Sequence, residues 1–288
     1  MNKWICDNNI LIVGLGLMGG SYAKALKRLG YKVCAIDKNE ESIKYAEENS
    51  IIDKGYSYVD TQAVQNADVL IFALYPNDFL YWIKQYSHLF KKGAIITDVT
   101  GVKECIVYDI QQELKARNAA NEFIAAHPMA GREVYGVQNA DDKIFIGANF
   151  IVTPTENNTE EAIEWCKGLG KILGFSRISV LSPKEHDEMI GFLSQLTHCI
   201  AVALMTCSDN EHLVDYTGDS FRDLTRIARI NDKMWSELFM LNKEVLIKEM
   251  DTFISEFESL RNMLYKNDIE GLREKMRLST KRRAYFDK

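Results

Sequence analysis

Short apolar runs alternate with helical spacings over the first 180 residues. The run at 10–13 ends in glycines, and Ala25, Leu26 and Leu29 then recur at helical spacing until Gly30. Further apolar runs at 32–37, 69–74, 94–98, 123–126, 149–152 and 177–181 read as strands, and 41–49 reads as a second helix. Such alternation predicts an α/β, Rossmann-type domain with a mostly parallel sheet and helices on both faces.

The pattern changes after residue 181. Ser182-Pro183-Lys184-Glu185 combines a capping serine, a proline suited to the first helical position and a glutamate that completes a capping box. Beyond it only helical spacing remains, including Leu238, Leu241, Leu246, Met250, Phe253, Phe257, Leu260 and Leu264. The boundary therefore divides residues 1–181, the α/β domain, from residues 182–288, an all-α domain. Broad apolar stripes in so small a helical domain predict a homodimer. The apolar stretch 189–205 carries Ser194, Gln195, Thr197 and His198, which favours a buried helix over a membrane span.

Composition narrows the partners. Apolar content of 47% and charged content of 26% suit a globular protein, and the net charge of −6 argues against nucleic acid as a general partner. The six cysteines, Cys6, Cys34, Cys105, Cys166, Cys199 and Cys207, show neither C-x-x-C nor zinc spacing. They read as reduced core residues of a cytoplasmic protein without a metal site. The N-terminus does not read as a signal peptide.

Gly14-Leu15-Gly16-Leu17-Met18-Gly19 is a G-x-G-x-x-G between a strand and a helix, and Asp37 closes the next strand. In this context Gly14 permits the tight turn, Gly16 admits the pyrophosphate, and Gly19 lets helix and strand pack closely. The helix start at Leu17 and Met18 offers free N–H groups. Asp37 should accept the ribose hydroxyls and repel a 2′-phosphate, so NAD is expected over NADP.

Reactive groups gather in two loops, 97–103 and 127–133. His127 directly follows the run 123–126, where a neutral imidazole could take a proton from a hydroxyl whose carbon loses hydride; a structural histidine bonded to backbone is the other reading. Asp187, Gly191, Ser194 and His198 share one helical stripe. Arg226 could clamp a carboxylate or pair with Asp223. Of the five histidines, His88 lies in a surface-like loop, His212 in a polar stretch and His186 at a helix start, leaving His127 and His198 to reach a cleft.

These motifs together resemble the prephenate dehydrogenase family of tyrosine biosynthesis. The matching pieces are GLGLMGGS at 14–21, TDVTGVK at 97–103, HPMAGRE at 127–133, EHD at 185–187 with Ser194 and His198, and DLTRIA at 223–228 with Trp235. The resemblance implies NAD-dependent oxidative decarboxylation of prephenate to 4-hydroxyphenylpyruvate. It implies that His127 bonds the ring hydroxyl, that Arg226, His198 and Ser194 face the substrate, and that Glu133 lies at the pocket mouth. Three departures stand out. Gly101 occupies the place of a family serine that supports the catalytic histidine, so Thr100 is expected to replace it. Gln195 and Thr197 interrupt a common S-H-L-P-H pattern. Neither a β-rich regulatory domain nor a chorismate mutase domain is expected in the chain. The alternatives are an arogenate or dual-specificity cyclohexadienyl dehydrogenase, a related hydroxy-acid or imino-acid dehydrogenase, and a non-catalytic NAD sensor.

Overall fold

The computed structural model describes residues 8–117 and 120–287; Cys6 lies outside them. The first part runs β1 (Asn9–Val13), α1 (Leu17–Arg28), β2 (Lys32–Ile36), α2 (Glu40–Glu48), β3 (Lys54–Tyr56), α3 (Thr61–Asn66), β4 (Val69–Phe72), α4 (Pro76–Tyr86), β5 (Ile95–Asp98), α5 (Glu104–Ala116) and β6 (Glu122–Phe123). These six strands form one parallel sheet in the order β3-β2-β1-β4-β5-β6. The order reverses between β1 and β4, and the crevice at their carboxyl ends is where such sheets bind ligands.

Successive residues of a strand point to opposite faces. On β1, Ile10 and Ile12 join the core under α1, while Leu11 and Val13 join Phe79, Trp82 and Ile83 of α4. A strand covered on both faces must be apolar throughout, which is why 10–13 is legible as an unbroken run. β3 is Lys-Gly-Tyr at the sheet edge, with no apolar run to betray it.

The run 123–126 does not make one strand. Phe123 ends β6, Ile124 still donates to the Ile96 carbonyl, and the chain then enters a second sheet. That sheet holds β7 (Ala125–Met129), β8 (Asn149–Thr153) and β9 (Arg177–Val180) in the order β7-β8-β9, packed by α6 (Glu160–Leu173). β7 is antiparallel to β8, and His127 lies inside it opposite Ile151 rather than after a parallel strand. The transfer is anchored where Asp98 Oδ1 at the end of β5 accepts the Ala126 N–H at 3.1 Å.

From Ser182 onward the described residues are helical: α7 (Pro183–Ile190), a π-helical turn (Gly191–Leu196), α8 (Thr197–Thr206), α9 (Leu213–Tyr216), α10 (Asp219–Thr225), α11 (Asp232–Leu241), α12 (Lys243–Tyr265) and α13 (Ile269–Arg283). The Ser182–Glu185 capping box is formed in both directions. The π turn adds a residue to the regular period, so the spacing from Asp187 to His198 is not that of a uniform α-helix. The run 183–206 is long and apolar enough to cross a bilayer, and 28% of its most apolar window is buried. Its Gln195 side chain is satisfied inside the fold, where it bonds to the Leu238 carbonyl and to Asn242. Met189, Phe192, Leu193 and Met205 are exposed, so this helix is not buried all round within one chain. Nor is the stripe on α12: Leu246 is buried, but Phe253, Phe257 and Leu264 are exposed. Among the described cysteines, Cys166 alone is buried, Cys34, Cys105 and Cys199 are half-buried and Cys207 is exposed, and all five are free thiols.

Candidate active site

The glycine loop follows β1 directly. Gly14 has φ of +100°, and a methyl group built on it would lie 2.4 Å from the Ala73 carbonyl oxygen. A methyl group on Gly19 would lie 1.9 Å from the Gly14 carbonyl oxygen, so α1 approaches the loop more closely than any side chain allows. At Gly16 the same test meets nothing within 4 Å. The loop is therefore closed on its protein side and open above Gly16. Gly16 is also the N-cap of α1, with no capping side chain and no acidic residue in the first turn. Leu17 and Met18 thus begin a helix whose free N–H groups and partial positive charge suit a pyrophosphate. The Asp37 carboxylate accepts from the N–H groups of Leu15 at 2.6 Å and Asn39 at 2.8 Å, one per oxygen, leaving lone pairs for two ribose hydroxyls. The residues present fit a dinucleotide.

A chain of buried polar groups leads from the end of β5 to His127. Lys103 is fully buried, and its Nζ donates to Asp98 Oδ2 at 2.6 Å, Ala126 O at 2.6 Å and Thr100 Oγ1 at 3.1 Å. Three donors meet three acceptors, which makes a buried ammonium tolerable. Burial lowers the Lys103 pKa, and the Asp98 carboxylate opposes that shift. On the other side of the site, His127 Nδ1 lies 2.8 Å from His186 Nε2, and His186 Nδ1 lies 2.6 Å from Asp187 Oδ1. Asp187 is held by the N–H groups of Lys103 at 2.9 Å and Glu104 at 2.8 Å, at the start of α5. Burial pushes His127 well below the usual imidazole range, aided by His186 and the Lys103 ammonium. Burial likewise takes His186 to about 3. It raises Asp187 to about 6, against the pull of its two backbone donors. Near neutrality both imidazoles are uncharged and Asp187 is a carboxylate.

The helical part supplies the facing side. Trp235 of α11 stacks on His198 with ring centroids 3.7 Å apart, and His198 Nδ1 bonds to the Ser194 carbonyl at 2.8 Å. One turn along α11, Leu238 packs over Gly101, where an added methyl would lie 3.5 Å from Leu238 and 3.9 Å from His127 Cε1. One face of α11 therefore joins the His198 group to the His127 group. Arg226 pairs with Glu133, which lies in the loop after β7, and not with Asp223. α11 also meets the lower lip of the cleft: Glu237 accepts the Asn77 N–H at 2.8 Å, and Asn231 bonds the Tyr75 hydroxyl at 3.1 Å.

α11 thus links His127 and His198, Ser194 bonds to His198, and the Arg226–Glu133 pair lies within electrostatic reach of His198. Ser194 takes part through its carbonyl. Thr100 does not take the place of a hydroxyl at position 101. Its Oγ1 donates to Asp98 and lies 3.0 Å from the Val102 carbonyl, because the turn after β5 points it into the Lys103 network. Gly101 is the position that faces His127. The exclusion of His186 as a mere helix-start residue is also overturned: its side chain is fully buried and touches His127. A His-Asp pair in the first turns of a helix was the available signal, but only the packing of α7 on α5 turns it inward. Asp98 and Lys103 were visible as part of one motif, without a role.

Residues 22–175 match the family described as prephenate dehydrogenase, nucleotide-binding domain, and residues 182–278 match prephenate dehydrogenase, dimerization domain. The prephenate dehydrogenase of Bacillus subtilis is 30% identical over 274 residues, covering 92% of this chain and 72% of that protein. That of Lactococcus lactis is 32% identical over 271 residues, covering 91% and 73%. A crystal structure of prephenate dehydrogenase from Aquifex aeolicus, in complex with hydroxyphenyl propionate and NAD+, superposes with a TM-score of 0.88 at 31% identity, covering 99% of this chain and all of that one. By its cofactor loop, its two matched regions and these relatives, the chain belongs to the prephenate dehydrogenase family.

Proposed function

We propose that the protein catalyses the NAD-dependent oxidative decarboxylation of prephenate to 4-hydroxyphenylpyruvate. The observation that carries this reading is that α11 links His127 to His198, with the Arg226–Glu133 pair within electrostatic reach of His198. It provides a neutral proton acceptor and a cation suited to a dicarboxylate. Residues 1–181 hold the cofactor, with Gly14, Gly16, Leu17, Met18 and Gly19 around the pyrophosphate and Asp37 on the ribose. Residues 182–288 complete the substrate pocket. When bound, the nicotinamide supplies the hydride acceptor.

His127 accepts the proton of the ring hydroxyl as hydride leaves carbon 4. The bond from carbon 1 to its carboxylate breaks, carbon dioxide departs, and the electron pair left behind completes the aromatic ring. The proton then returns to the phenolate oxygen. Arg226 binds a substrate carboxylate, which requires it to share or release Glu133, and His198, braced by Trp235, lines the same pocket.

The test is NADH formation with prephenate and with arogenate, each with NAD and NADP. Turnover of prephenate with NAD is expected, and activity confined to arogenate would transfer the reading to an arogenate dehydrogenase. In the same assay Arg226→Gln should raise the KM for prephenate by roughly 10- to 150-fold, the worth of a charge-assisted hydrogen bond of about 1.5–3 kcal/mol. NAD affinity should stay near native. An unchanged KM in the folded variant would leave Arg226 as a partner of Glu133 only.

The same reading makes the protein a homodimer and a cytoplasmic enzyme. The match to a dimerization domain and the exposed Phe253, Phe257 and Leu264 of α12 support the dimer. Light scattering should give twice the chain mass at micromolar concentration, and a monomer would overturn it. The free thiols agree with a reducing compartment.

A further inference from the structure

We propose that Asp187 and His186 act in series to set the tautomer of His127, so that His127 Nε2 meets the substrate hydroxyl as an unprotonated acceptor. The inference rests on the acid–base role assigned above to His127 and concerns how that role is enforced.

A neutral imidazole carries one N–H, and either nitrogen can hold it. The one beyond the hydrogen-bonded partner decides which. Here the series has a fixed end. Asp187 is a carboxylate whose oxygens already accept from the backbone N–H groups of Lys103 and Glu104. It can only accept, so the 2.6 Å contact requires the proton on His186 Nδ1. His186 is then unprotonated at Nε2, the atom 2.8 Å from His127 Nδ1. That contact is a hydrogen bond only if His127 Nδ1 carries the proton. His127 Nε2 is therefore left with its lone pair. Without the relay the two tautomers of His127 would compete, and the one with a proton on Nε2 cannot act as a base.

The geometry of Asp187 explains why the series does not invert. Its carboxylate is tied to the first residues of α5, and the same residue Lys103 reaches Asp98 and Ala126 O beside His127. Among the described residues, the charged groups facing the two imidazoles are Asp187 from α7, Asp98 at the end of β5 and Lys103 from the turn before α5. A cation at Lys103 disfavours an imidazolium at either ring, and the single anion in direct contact lies at the far end of the series. His186 and Asp187 touch neither substrate nor cofactor in this scheme, so they are positioning residues.

The direct test is nitrogen-15 NMR of the native protein labelled at histidine, near neutral pH. Both His127 and His186 should be protonated at Nδ1 and bare at Nε2. A His127 protonated at Nε2 would overturn the proposal whatever the variants do. Kinetics provide the second test. Asp187→Asn keeps the side chain's size and can still accept from the α5 backbone, but its amide donates to His186 Nδ1. Both tautomers then invert, and His127 presents N–H to the substrate. Turnover should fall by roughly 10²–10⁴-fold, the cost of a wrong tautomer in a comparable acid–base series. The KM for prephenate and the NAD affinity should stay within a few-fold, which separates a tautomer effect from a collapsed pocket. His186→Gln retains an acceptor for His127 Nδ1 and should keep clearly more activity than His186→Leu, which retains none. Equal turnover in these two variants, or near-native turnover in Asp187→Asn, would refute the relay. His127→Asn, assayed alongside, separates the two ideas: loss of turnover there with an active Asp187→Asn removes only the relay, whereas a fully active His127→Asn removes the acid–base reading on which it rests.

Discussion

Replacing His127 with asparagine is expected to lower turnover by about 10²–10⁴-fold, the usual contribution of a positioned acid–base group. Asparagine is close in size and can hydrogen-bond the substrate hydroxyl, but it cannot take its proton. The side chain is half-buried in β7, and its ring is fixed from behind by His186, so the variant should fold and bind NAD nearly as the native chain does. The pH profile gives a second readout. Only the neutral imidazole accepts a proton, so activity should rise with pH and then level off. Burial, His186 and the Lys103 ammonium hold His127 below its ordinary range, and Asp187 loses its proton near 6. The rise should therefore have its midpoint at or below about pH 6 and be nearly complete by about pH 7. Turnover within a few-fold of native in a folded His127→Asn protein would make His198 the leading proton acceptor.

Lys103→Met should cause the largest loss of stability of any single change near the site. The methionine stem fills much the same volume, so the effect isolates the charge. Asp98 would remain fully buried with its ammonium partner gone, and the Ala126 carbonyl would lose its bond to Nζ. Breaking a buried pair in this way costs about 3–5 kcal/mol, because the surviving charge is neither solvated nor paired. For a chain of this size that corresponds to roughly 6–20 °C in the unfolding midpoint. A thermal scan of the variant checks the value. The variant with Asp98→Asn added should recover part of the loss, since the isolated charge is then removed. A single variant that melts within a degree or two of native would mean that Asp98 finds water or another partner when Lys103 is absent.

The sequence by itself determined the parts governed by local rules. Strands buried on both faces must be apolar throughout, so β1, β2 and β4 were legible as runs. The glycine loop was legible because its turn, its open space above Gly16 and its close helix approach each demand a glycine at a set spacing. The capping box announced α7 at Ser182, since both of its bonds lie within four residues. His127, Arg226, His198 and Glu133 could be singled out as chemical types in recognisable motifs. What they touch could not, because those contacts join residues far apart in the chain. The same limit hid the split of 123–126 between two sheets: the backbone leaves one sheet for the other without any change in hydrophobicity, and the anchor is the Asp98 side chain, 28 residues away from Ala126. It hid Thr100 turning into the Lys103 network, Arg226 choosing Glu133 over its neighbour Asp223, and the π turn that resets the face of α8. Above all it hid His186. A histidine in the first turns of a helix reads as a surface residue, and only the packing of α7 against α5 and β7 places its two nitrogens between Asp187 and His127. Periodicity and capping are written within one or two turns of chain, whereas a proton's position is decided by which distant acceptors the tertiary fold brings within 3 Å.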